Sequence, residues 1–154
     1  MFSGRNDDQI NVQGVKKDYD QLHQQIQRIL NKTGRDFDNV MYNDGDLDEV
    51  FMRTQYYNIA YKLNEIERLL SYLSRPIIEQ GILRQNSSKR YELPSGRYFT
   101  SGSVCEILEE KNEECYWVYT SIEHNGSDYY ATALGRDVSI NGMTARIRGS
   151  LLDQ

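Results

Sequence analysis

The chain has 154 residues, with 18 Lys and Arg against 23 Asp and Glu and a formal charge of −5. That length suits one ordinary domain or two small ones, no stretch approaches the roughly 18 apolar residues of a membrane span, and the first residues lack the basic start and apolar run of a secretory signal. Two cysteines are too few for a disulfide scaffold or a four-ligand zinc site, so a cytoplasmic protein without metal or cofactor is expected.

Division at Glu79/Gln80 leaves both parts mildly acidic, with 10 basic and 13 acidic residues before it and 8 and 10 after it. An electrostatic nucleic-acid binder shows a basic excess somewhere, so nucleic acid is not the expected partner. Tyrosine is abundant, 12 against 4 Phe and 1 Trp. Its large ring and water-tolerant hydroxyl suit recognition surfaces and also the edges of small cores.

Residues 1–79 read as an antiparallel, coiled-coil-like helical hairpin. Val15, Tyr19, Leu22, Ile26 and Ile29 alternate spacings of four and three, a heptad seam. This helix starts between Asp7 and Gly14, and Lys32 and Gly34 stop it. The acidic stretch "DFDNVMYNDGDLDEVF" does not fit a calcium loop: with Gly45 at the invariant glycine, the first and last ligands would be Val40 and Phe51. Asp46 and Glu49 instead make a capping box for a second helix from Leu47 to Arg75, ended by Pro76. Met52, Tyr56, Ile59, Leu63, Ile66, Leu70 and Leu73 repeat the heptad spacing, and this row is expected to pack on the first helix. Tyr57, Tyr61 and Tyr72 fall on the opposite face. That face is expected to meet the C-terminal domain, a second copy of the chain, or a target protein; the hairpin also offers a route to a homodimer.

From residue 80 to 154 the apolar period changes to two. Strands are expected over Ile82–Arg84, Arg90–Leu93, Ser103–Glu109, Cys115–Ile122, Tyr129–Leu134 and Met143–Arg148, with turns at "LPSG", "EKNE" and two "NG" pairs. The expected fold is therefore α+β, a helical hairpin followed by a small antiparallel SH3-like barrel. The segment "SIEHNGSDYYATAL" brings His124, Ser127 and Asp128 close in sequence, but Asn125-Gly126 marks a hairpin turn. No positioned nucleophile accompanies the histidine, so no catalytic residue is assigned.

Two-residue loops at both hairpins place Cys105 opposite Val118, Trp117 opposite Glu106, and Ile122 opposite Tyr129. One side, with Cys105, Ile107, Tyr116, Val118, Thr120, Ile122, Tyr129, Ala131 and Ala133, forms the core. The other side carries Glu106, Trp117, Tyr119, Tyr130, Thr132 and Leu134, an aromatic platform for a partner protein, unless helix two covers it. Cys105 and Cys115 lie on different faces and form no disulfide. Arg146 and Arg148, with Arg136 nearby, make a basic stripe that suits a phosphate or acidic partner, or simply a solvated edge.

The segments "RYELPSGRYFTSGSVCEIL", "YWVYTSIEHNGSDYYATAL" and "VSINGMTARIRG" resemble a family of small domains of unknown function from Gram-positive bacteria and their mobile elements. The resemblance runs from about Arg90 to Gly149. It implies a compact β-rich module in a phage, plasmid or transposon setting, and it assigns no activity to any residue. The leading expectation is a non-enzymatic interaction protein of adaptor or accessory type. An inhibitor of a host nucleic-acid-handling or defence enzyme, its acidic runs occupying a basic channel, is the alternative. Single-stranded nucleic-acid binding, with stacked aromatics and the three arginines on phosphates, is a third.

Overall fold

A computed structural model describes residues 8–149. It comprises two compact units, one ending at Ser74 and one starting at Arg75. The boundary thus lies at Ser74/Arg75 rather than at Glu79/Gln80.

The first unit is a helical hairpin of α1 (Val12–Thr33) and α2 (Leu47–Leu73). Asn11 caps α1, its side chain accepting from the Gly14 amide at 2.8 Å, so the early glycine is absorbed into the first turn. The helix stops where Gly34, at φ 79°, turns its amide back to the Leu30 carbonyl. Asp46 caps α2 through bonds from the Asp48 and Glu49 amides. The reciprocal half of the box is replaced, because the Asp46 amide donates to the Asn43 carbonyl.

The second unit contains β1 (Ile77–Ile82), β2 (Arg84–Gln85), β3 (Tyr91–Glu92), β4 (Val104–Lys111), β5 (Glu114–His124), β6 (Tyr129–Ala131) and β7 (Thr144–Arg148). β1 begins immediately after Pro76, earlier than the alternation suggests. Its ladder with β7 slips between Ile77 and Glu79, and this bulge re-phases the apolar residues so that "IIEQGI" lacks a clean period of two. A five-stranded sheet runs β1-β7-β4-β5-β6, and β2 and β3 make a separate pair. All ladders are antiparallel. The sheet keeps two edges, β1 and β6, so the expected barrel is an open curved sheet. At the β1 edge the Gly149 amide bonds the Pro76 carbonyl at 3.0 Å, tying the last described residue beside the start of the unit.

Leu83, Leu93, Cys105, Ile107, Ile122, Ala131, Ile140 and Ala145 are buried at the core, with Tyr91 and Phe99 closing it. Both long hairpins are shifted from the expected register. The β4–β5 turn uses Asn112 and Glu113, both at positive φ, which pairs Cys105 with Thr120 and Trp117 with Leu108. The β5–β6 loop is Gly126-Ser127, closed by the Asn125 amide on the Asp128 carbonyl, and pairs Ile122 with Ala131. Each shift moves a pairing by an even number of residues, so the faces survive while the neighbours change. Tyr116 lies beyond the core on the exposed part of the β4–β5 hairpin. Past Ala131 the chain turns, leaving Ala133 exposed and bringing Leu134 onto the core in its place.

Candidate partner-binding surfaces

α1 meets neither expected face of α2 squarely, but the side between them. α1 packs against the Ala60, Asn64 and Glu67 side: His23 Nε2 and Glu67 Oε1 are 3.1 Å apart, Gln27 Nε2 donates to the same oxygen at 3.4 Å, and Ile26 and Ala60 are buried. The connection between the helices covers the same side, with the Phe37 ring edge-on to Tyr57 at 5.7 Å and Arg53 over the Tyr42 ring. Tyr57 is therefore a packing residue, Tyr72 is only 7% exposed, and Tyr61 stays open at 65%.

The heptad row of α2 is turned aside from α1. Tyr56, Ile59 and Leu73 keep 53%, 51% and 50% of their area in solvent, and Leu22 and Ile29 of α1 are comparably open. At the end away from the connecting loop, beside the start of α1 and the end of α2, the helices part over an open apolar groove of about 400 Å³, lined by Val15, Tyr19, Ile66, Leu69, Leu70 and Leu73. All of these but Leu69 were legible as seam residues from their spacing; their availability to a partner was not. A strict repeat specifies that a helix will be covered without specifying by which helix.

On the outward face of the sheet the expected platform is built differently. Glu106 is buried at 6% exposure. Arg146 Nε and Nη2 donate to its Oε1 at 3.0 and 2.8 Å, while Arg148 Nε donates to Oε2 at 2.9 Å and Nη2 to Oε1 at 3.3 Å. Arg148 also donates to the Arg75 carbonyl at 3.0 Å. Arg146 lies over the Trp117 ring, 4.1 Å from its centroid, which adds a cation–π contact. Glu106, Arg146 and Arg148 are thus one charge-assisted cluster inside the sheet face, and the expected basic stripe is spent on it. Arg136 is elsewhere: it donates to the Asn125 carbonyl, and Asn125 returns a bond to the Arg136 carbonyl, bracing a hairpin tip.

Trp117 is half-buried and Tyr119 exposed, two residues apart on one side of β5. Tyr130 pairs with Glu123, four residues further along β5 than Tyr119, or about 13 Å at the usual strand rise. The three aromatics therefore do not form one patch.

The His124 corner is a turn. His124 Nδ1 accepts from the Gly126 amide, and its ring meets Tyr129 edge-on at 4.8 Å. Asp128 is half-buried rather than open to water: it accepts the Tyr91 hydroxyl at 2.9 Å and the Tyr129 amide at 2.8 Å. Burial, and then this bond, push the Tyr91 hydroxyl above its usual pKa. Both thiols are free, Cys105 buried and Cys115 exposed. Among the described residues no three His, Cys, Asp or Glu side chains are grouped to hold a metal ion, and no helix is long and apolar enough to cross a membrane.

Residues 80–147 match the family model of a domain of unknown function (DUF5348). The matched region starts inside β1, earlier than the Arg90 limit of the resemblance, and stops within β7; the helical hairpin lies outside it. No curated protein and no solved structure matches the chain.

Proposed function

We propose that this protein is a non-enzymatic interaction module that works by binding another protein chain through its helical hairpin. The supporting observation is the exposure of the heptad row of α2, where Tyr56, Ile59 and Leu73 stay about half in solvent although their spacing is that of an interhelical seam. A coiled-coil row left open on a two-helix hairpin receives a further helix by the helix-in-groove mode. In the β unit Arg146 and Arg148 are engaged with Glu106, so this reading assigns recognition to the hairpin and to Tyr119 at the sheet surface.

The experiment is capture from the native host, with nuclease, comparing the full chain with an Ile59→Glu/Ile66→Glu variant and quantifying by mass spectrometry. Proteins retained by the parent and lost by the variant are the expected result. Identical recovery by both chains overturns the reading, and recovery of nucleic acid alone would replace it with a nucleic-acid role.

A further inference from the structure

Resting on that reading, we propose that the occupant of the open hairpin face is a second copy of this chain, the two hairpins packing face to face about a two-fold axis as a four-helix bundle. At about 100° per residue, Leu22 and Ile29 lie to one side of Ile26, and Tyr56, Ile59 and Ile66 lie to the same side of Ala60. Gln27 and Asn64 line the opposite, polar side. Because the helices are antiparallel, both apolar flanks emerge on one surface of the hairpin. On α2 the apolar flank runs on to Leu70 and Leu73, which line the groove.

The amount of surface fits this occupant. Eight residues of the two heptad rows each expose between 41% and 53% of their area. At roughly 200 Å² per large side chain they offer on the order of 800 Å², the per-partner area of a standard specific interface. An isologous contact also meets a geometric demand, since a row repeating every 3.5 residues is matched only by another row of the same pitch.

Charge specifies the direction. Asp18, Gln25 and Lys32 are exposed and recur every seven residues along the flank of α1 beside Leu22 and Ile29. A two-fold axis near Gln25 brings Asp18 of one copy to Lys32 of the other, twice. A parallel arrangement would instead stack like charges.

Sedimentation velocity of the full chain over a range of concentrations tests this. The parent is expected at the mass of two chains, and Ile59→Glu and Ile66→Glu at the mass of one with an unchanged circular dichroism spectrum. Ile66→Ala should raise the dimer Kd about tenfold. Asp18→Lys should weaken the dimer severalfold, and Asp18→Lys/Lys32→Asp should restore it. If a glutamate variant fails to fold, the alanine variant and the charge exchange decide. A parent that sediments as one chain at every concentration overturns the proposal, as does a two-chain mass that ignores all of these substitutions. A single-chain parent that still captures a protein through Ile59 and Ile66 removes the second copy and leaves the interaction reading intact.

Discussion

Glu106 and Arg146 face each other across the β4–β7 ladder, and two nitrogens of the guanidinium converge on one carboxylate oxygen at 2.8 and 3.0 Å. Arg148 holds the second oxygen. One buried negative charge therefore holds two mostly buried positive ones. Removing it strands both guanidiniums, whereas removing either arginine leaves the carboxylate paired.

Glu106→Gln is accordingly expected to destabilise the β unit by about 3 kcal/mol, near the lower end of the cost of breaking a buried pair because the arginines retain some solvent. Arg148→Met should cost less. Urea denaturation followed by Trp117 fluorescence compares the two, and an equal loss in both variants would contradict the asymmetry.

The β4–β5 turn places Glu113 at φ 65°, a left-handed conformation that suits glycine or asparagine better. Glu113→Gly should raise stability by about 1 kcal/mol, the order of the left-handed penalty, and a few degrees in thermal melting reports it. A fall in the melting temperature would mean that the glutamate side chain makes a compensating contact.

Cys105 and Cys115 should separate cleanly in a thiol assay. Cys105 is fully buried and its pKa is pushed up to about 12, first by burial and then by the Glu106 charge. A disulfide reagent at neutral pH should modify Cys115 alone in the native chain and both thiols after denaturation. Rapid native labelling at Cys105 would show that the core opens readily.

Tyr91 makes stability depend on alkaline pH. Its hydroxyl has a folded pKa above the usual 10.0, so the folded state holds the proton after the unfolded chain has released it. The associated stability is complete below pH 10 and is lost as pH rises through the folded value. Tyr91→Phe should flatten that decline and cost about 1 kcal/mol at neutral pH through the lost bond to Asp128. An unchanged alkaline profile would assign the decline to other groups.

Local chemistry made much of the architecture legible. Asp46 as a cap, Gly34 as a stop, and the inward set Cys105, Ile107 and Ile122 all depend on neighbours a few residues away or on a period of two. The misjudged features depend on distant pairing. Which side of α2 faces α1 shows in the contacts of His23 and Gln27 with Glu67 and of Phe37 with Tyr57, and an apolar repeat carries no information about that choice. The Glu106 cluster requires β7 to lie beside β4, a contact across 40 residues. Trp117 looked like a free platform because its covering arginine comes from that distant strand. Closure failed as a prediction for a related reason: turn signals count strands, but only long-range pairing decides whether the first meets the last in a ring.

The pairing of β1 with β7, sealed by the Gly149 to Pro76 bond, also governs how this unit responds to force. Its ends leave side by side from one edge of the sheet, with antiparallel strands between them. Tension applied across those ends peels the β1–β7 bonds one after another, like a zipper, instead of shearing them together. The sheet is therefore mechanically soft along its own chain direction, even though its Leu83–Ile107–Ile122 interior is tightly closed.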